Sequence, residues 1–199
     1  MKKLLIILPF IVLFVFNSCK KELTPVEREI AIIETDHGNI TIDFFENIAP
    51  ANVAVIKTLI SEKFYDGLYF HRVVPGFVIQ GGDPNTRDDD KSNDGMGQAW
   101  QPTIKAEFSN IPHKRGILSM ARKGNDINSA TSQFFICVAD VPFLDNQYTV
   151  FGKVIDGMDV VDTIVGLERD NNDNPIQSPY MKRVYLEKKT IIPSEENIK

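Results

Sequence analysis

Residues 29–35 alternate branched apolar side chains with polar ones, and residues 40–45 do so again. The intervening Asp36-His37-Gly38-Asn39 is a turn sequence, so the pattern predicts a β-hairpin. Pro50 then stands where a helix would start, and Val53, Ile56 and Ile60 follow at helical spacing. Residues 51–62 are therefore expected to form a helix with one buried face. Apolar runs at 68–73 and 77–81 flank Pro75-Gly76, and others fall at 115–121, 133–138, 149–155 and 180–188. Met158, Val161 and Val165 mark a second helix over 158–165. About eight short strands, two helices and frequent turn residues indicate a mainly β domain, a sandwich or a barrel. The polar stretches 86–101 and 167–179 read as long loops between them.

The first residues follow a different pattern. Lys2 and Lys3 precede a 13-residue apolar run from Leu4 to Phe16, broken only by Pro9. A bilayer span takes about 20 residues, so this run fits a secretory signal. It ends in Phe16-Asn17-Ser18-Cys19, which resembles a relaxed bacterial lipobox, where a Cys is acylated and becomes the new N-terminus. Phe16 and Asn17 depart from its usual Leu and small residue, and a simple signal peptide or an uncleaved anchor helix are the alternatives. The expected organisation is a signal peptide over 1–18, a lipidated tether over 19–27 beginning at Cys19, a folded domain over 28–190 and a tail over 191–199. The lipid would hold the protein in the cell envelope, facing the periplasm or the surface.

The chain is 199 residues long, enough for one domain with a real core. Its net charge of −5 argues against nucleic acid as a partner and leaves a membrane anchor to work by lipid rather than by basic charge. Of two Cys, Cys137 lies in an apolar strand-like run and reads as a buried small hydrophobe. Asp90, Ser92 and Asp94-Gly95 partly match a calcium loop, but Gln101 stands where the bidentate acid is needed, so no metal is expected. His37, His71 and His113 lack metal-ligand spacing, and His71 is read as a strand residue making structural hydrogen bonds. No nucleophilic triad or acid–base dyad stands out, and no coiled-coil pattern argues against a monomer.

The chemistry concentrates in residues 70–84, Phe-His-Arg-Val-Val-Pro-Gly-Phe-Val-Ile-Gln-Gly-Gly-Asp-Pro. Arg72 and Gln80 share one parity, with large apolar side chains between them. A charged fork beside an apolar wall suits a ligand that is greasy at one end and carries amides at the other. This run resembles the signature of the cyclophilin family of peptidyl-prolyl isomerases. So do Gly116-Ile117-Leu118-Ser119-Met120-Ala121, Ser132-Gln133-Phe134-Phe135-Ile136 and Val150-Phe151-Gly152-Lys153-Val154, in the family's order. The resemblance spans roughly residues 29–188.

That resemblance implies a closed eight-stranded antiparallel barrel capped by two helices, acting on X-Pro bonds of unfolded or exposed polypeptide without a cofactor. It makes Arg72 the catalytic donor and Gln80 the residue that orients it. Phe77, Val78, Phe135 and Leu144 become walls of the proline pocket, and Gln133 a contact to the substrate backbone. Arg122 matches a position where the family binds through main chain. Phe143 stands where many members carry Trp, and Tyr148 where a His is common. Rotation about a prolyl bond moves no proton and needs no nucleophile, so stabilising the twisted amide is sufficient catalysis. Two other readings remain: a binding module that uses the same pocket to hold proline-containing segments without turnover, and a structural lipoprotein that keeps the barrel without using the groove. Arg72 favours the enzyme, because holding a peptide does not require a donor aimed at the twisted bond.

Overall fold

The computed structural model describes residues 25–191. The chain runs β1 (Val26–Thr35), β2 (Gly38–Phe44), α1 (Pro50–Ser61), β3 (Arg72–Val74), β4 (Val78–Gly81), β5 (Ile117–Met120), β6 (Phe134–Cys137), β7 (Val150–Asp156), α2 (Met158–Val165) and β8 (Met181–Ile191). Short 3-10 turns occur at Pro84–Arg87, Lys91–Asn93 and Pro142–Leu144. The signal run, Cys19 and most of the expected tether and tail lie outside the described residues. Val26 and Glu27, the last two residues of that tether, belong to β1 and pair with Ile191 and Thr190.

All strand pairs are antiparallel, in the order β3-β4-β6-β5-β7-β2-β1-β8. The expected mainly β fold with eight antiparallel strands and two helices is present. β3 and β8 stand at the two ends of the sheet order and do not pair with each other as strands. Residues 68–71, expected as strand, instead meet the start of β8 through a single Tyr69–Tyr180 bridge. Backbone bonds of 2.8 Å from Gly67 N to Met181 O and from Met181 N to Leu68 O flank it.

The register explains how β8 buries Met181 and Val184, three residues apart, on one face. Thr35 pairs with Met181 but Glu34 pairs with Arg183, so a bulge drops one residue from the alternation. Both side chains join the main core with Ile33, Ile42, Phe44, Leu118 and Phe134, beneath α1 and its buried Val53, Ile56 and Ile60. Val161 and Ile164 of α2 reach the same core. Gly157 at the start of α2 has φ +90, and a Cβ there would lie 2.1 Å from Asn39 O, so the approach of α2 to the β1–β2 turn requires glycine.

Pro50 opens α1 as expected, but Ala49 before it supplies no side-chain cap. The cap comes from 56 residues downstream. Glu107 accepts hydrogen bonds from Ala51 N (3.2 Å), Asn52 N (3.0 Å) and Asn52 Nδ2 (2.7 Å). Partial burial pushes the Glu107 carboxyl up, and these three bonds outweigh it, holding the group below its ordinary 4.5. Glu107→Ala should lower stability by about 1–2 kcal/mol, read as a shift in the urea midpoint. Because the folded value is depressed, this contribution is complete above the ordinary carboxyl range and lost as pH falls through the lowered value. The gap between variant and wild type should therefore close in acid; an unchanged gap would contradict the cap.

Candidate active site

Strand register assembles the site in one row. Arg72 of β3 stands opposite Gln80 of β4, Gln80 opposite Phe135 of β6, and Phe135 opposite Ser119 of β5. Directly paired residues share a face of the sheet, so all four point away from the core that takes Ile79, Phe134, Ile136 and Leu118. This second face carries its own apolar cluster, built from Val78, Ile117, Phe135, Cys137, Leu144 and Val150, with Phe77 and Tyr148 packed against it.

The polar end is held by a directed network. Gln133 Nε2 lies 3.2 Å from Asp83 Oδ2 and 3.1 Å from Gly95 O, both acceptors, so its amide must face them with its NH2. Its Oε1 then accepts from Gln80 Nε2 at 3.0 Å. Asp83 is fully buried and also accepts from Asn85 N and Gly97 N, each 3.0 Å, which pins the network to the loop after β4. Gln80 therefore neighbours Arg72 through register, while its amide hydrogen goes to Gln133. Arg72 places its guanidinium carbon 5.6 Å above the Phe77 ring. Its Nε is 3.8 Å from Asp173 Oδ2, and the side chain is 37% exposed. Among the described residues no hydrogen bond occupies its terminal nitrogens.

The apolar end surrounds Phe135. The His113 ring stacks on it at 6.1 Å and 22°, and Tyr148 meets it edge-on at 5.5 Å. Leu144 adjoins it in the same cluster, and Val78 is buried beneath. Phe77 stacks with Phe143 at 5.5 Å, leaving Phe143 63% exposed at the rim. Arg122 lies 4.6 Å above the Tyr148 ring, with its guanidinium donating to Gln147 O, Lys123 O and Gly124 O. Its neighbour Ala121 donates its N–H to Gln133 O at 2.9 Å, which joins the Arg122 segment to the polar end. The expected site residues of the domain thus fall along one surface; Cys19 is outside the described residues.

One histidine takes a place the sequence does not announce, and another departs from its expected one. Ser119 Oγ is 2.9 Å from His113 Nε2, and His113 Nδ1 is 2.9 Å from Asp145 Oδ1, an arrangement no local motif announces. It has the order of a nucleophilic triad, but Ser119 and His113 are buried beneath Phe135, where no substrate carbonyl can reach the hydroxyl. Its effect is to fix the ring on which Phe135 stacks. Partial burial raises the Asp145 carboxyl, but its hydrogen bonds with the His113 backbone and ring outweigh this and hold it below the ordinary value. His71 does not make the structural hydrogen bonds expected of it: both ring nitrogens are buried without a protein partner. Burial lowers its pKa, against the opposing pull of Asp83 and Asp94.

The acidic loop does not assemble as a calcium loop. Asp90 caps its own turn by accepting from Ser92 N, while Asp94 turns inward to accept from Tyr69 Oη (2.5 Å) and Asn174 Nδ2 (2.8 Å). Cys137 is fully buried, and burial, with the charges of Asp145 and Asp140, pushes its thiol up to about 12. A maleimide should therefore leave Cys137 unlabelled in the native protein at pH 8 and label it fully in denaturant. Rapid native labelling, read by mass mapping of the Cys137 peptide, would refute this burial.

Comparison with known proteins agrees with the geometry. Residues 30–186 match the family model described as cyclophilin type peptidyl-prolyl cis-trans isomerase/CLD. A probable peptidyl-prolyl cis-trans isomerase of Brucella abortus is 46% identical over 145 residues, covering 70% of this chain and 74% of the relative. A peptidyl-prolyl cis-trans isomerase of Helicobacter pylori is 43% identical over 148 residues, covering 72% and 85%. The crystal structure of a Cryptosporidium parvum cyclophilin type peptidyl-prolyl cis-trans isomerase, determined in the presence of the dipeptide Ala-Pro, superposes with a TM-score of 0.72 at 29% identity. That match covers 79% of this chain and 98% of the other.

Proposed function

We propose that this chain, which belongs to the cyclophilin type peptidyl-prolyl cis-trans isomerase family, catalyses rotation of X-Pro bonds by holding the proline ring against Phe135 while Arg72 donates to the twisted amide. The observation that carries this reading is the row from Arg72 through Gln80 to Phe135, an always-charged donor and an apolar wall on adjacent strands of one face. Planar amide resonance sets a barrier of roughly 18–20 kcal/mol. Twisting the bond returns the lone pair to the imide nitrogen, where a donor can act that gains nothing from the planar ground state. Phe77, Val78, Leu144 and Tyr148 complete the proline pocket, with Phe143 at its rim. Gln80, Gln133 and the backbone beside Arg122 take the polar main chain of the peptide, so Arg72 and Gln80 are the catalytic pair. The substrates are unfolded or loop-exposed segments, and the reaction requires no cofactor or metal.

Arg72→Ala should keep the fold and reduce kcat/KM by ~100-fold or more in a prolyl-peptide assay, a loss of about 2.7 kcal/mol of transition-state stabilisation. Activity within a few-fold of wild type would exclude Arg72 as the donor and favour a module that only binds.

We further infer that the domain is a monomeric, lipid-anchored protein of the cell envelope, with residues 1–18 removed and Cys19 acylated. The support is the charged start, the apolar run and the Cys placed directly after it. Six residues separate Cys19 from β1 at Val26, so the domain would sit within about 25 Å of its anchor, at roughly 3.5 Å per residue. A barrel closed by the 67–70 and 179–181 contacts is part of the same reading. Mass spectrometry of the protein purified from membranes should show an N-terminal, acylated Cys19. An unmodified Cys19, or a mature start elsewhere, would remove the anchor.

A further inference from the structure

Arg72 has one neighbour to which neither the sequence motif nor the reading above gives a role. Asp173 belongs to the Asp170-Asn171-Asn172-Asp173-Asn174-Pro175 stretch, which sequence suggests is only a solvated loop. The structure shows a tight, closed turn. Asp170 Oδ1 accepts from Asn172 N (2.8 Å) and Asn174 N (2.9 Å), Asp170 N donates to Asn174 O (2.9 Å), and Arg169 bridges to Pro175. The turn is tied down from outside at three points. Val73 N donates to Asp173 O at 2.8 Å, Asn174 Nδ2 donates to Asp94 Oδ2 at 2.8 Å, and Lys91 Nζ donates to Pro175 O at 2.7 Å. Asp173 itself sits at φ +64, a left-handed conformation that the turn imposes on a non-glycine residue.

This rigid mount delivers one carboxylate to the catalytic Arg. Asp173 Oδ2 is 3.8 Å from Arg72 Nε, and Oδ1 accepts from Arg169 Nε at 3.3 Å. Arg72 has a long, flexible stem, and the Phe77 ring covers one face of its guanidinium without choosing its rotation in the plane. A fixed negative charge on the Nε side can make that choice, and among the described residues no hydrogen bond occupies the terminal nitrogens.

We propose that Asp173 is a positioning residue for Arg72: a carboxylate mounted on the 170–175 turn that holds the guanidinium with its terminal donors facing the prolyl amide. The proposal rests on the catalytic role of Arg72 given above. Asp173 touches no substrate, so its removal acts on the step in which Arg72 is used, lowering kcat more than it raises KM.

Asp173→Asn is the clean substitution, because Asn tolerates the left-handed conformation and replaces the carboxylate by a neutral amide of the same size; the Val73 N–H bond goes to the backbone carbonyl and is kept. It should lower kcat about 3- to 10-fold in a prolyl-peptide assay at low salt, with KM within about 2-fold and the urea midpoint close to wild type. The same change introduced into Arg72→Ala, assayed at raised enzyme concentration, should have no further effect. Arg169→Gln, which removes the other cation bound to Asp173, should stay within about 2-fold of wild type. If Asp173→Asn is as active as wild type, slows turnover equally in the Arg72→Ala background, or is matched by Arg169→Gln, Asp173 does not act through Arg72. If instead Arg72→Ala itself retains activity, the fault lies with the assignment of Arg72, so the two failures are distinguishable.

Discussion

A strand can offer only every second side chain to one face of a sheet, and the central strands of this protein are committed on both faces. Ile79, Phe134, Ile136, Leu118 and Met120 enter the main core beneath α1, while Val78, Gln80, Phe135, Cys137, Ile117 and Ser119 face the second cluster. Because the period is two, a one-residue slip anywhere in β4, β5 or β6 would exchange the sets, driving Gln80 and Ser119 into hydrocarbon. The burial that stabilises the domain and the register that builds the site are one constraint. This explains why Arg72, Gln80 and Phe135, the candidate site residues, come from three strands and still form one row.

Along that row the environment changes from charged to apolar within a few side chains. At one end Arg72 remains partly hydrated and keeps its terminal donors open. At the other Phe135 is fixed from two directions, by the stacked His113 ring and the edge of Tyr148. The Ser119–His113–Asp145 chain below it resembles machinery for nucleophilic attack, yet its burial assigns it to support. The reaction itself needs only a twisted bond to be bound better than a planar one, so rigidity of the two ends is the property the surrounding structure has to supply.

Much of that rigidity comes from segments with little regular structure. The loop after β4 is drawn in by Asp83, which orders Gln133 and through it Gln80. Asp94, carried by the same loop, grips Asn174 and so ties the 170–175 turn beside Arg72. Glu107 crosses from another irregular stretch to cap α1. In each case a buried or half-buried carboxylate satisfies backbone or amide donors that would otherwise lose their water, which ties the irregular chain to the rest of the fold.

The eight strands and two helices were legible in the sequence to within a few residues, because alternation and helical spacing follow directly from which side chains must leave water. Arg72, Gln80 and Phe135 stood out in the sequence too, and register places them in one row, while the roles proposed for them come from resemblance and not from spacing alone. Local pattern failed where the deciding partner is remote. Residues 68–71 look like strand but make one bridge, since no neighbouring strand is in register to extend the pairing. Nothing near Ala49 shows that α1 is capped by Glu107, nothing near Ser119 shows that His113 stands behind it, and the run of Asp and Asn at 170–174 gives no hint that Asp173 reaches Arg72. Periodicity is a property of neighbours along the chain and can be read there. Hydrogen bonds and ion pairs between loops depend on which distant segments the closed packing of the core brings within about 3–4 Å, and that only the tertiary structure decides.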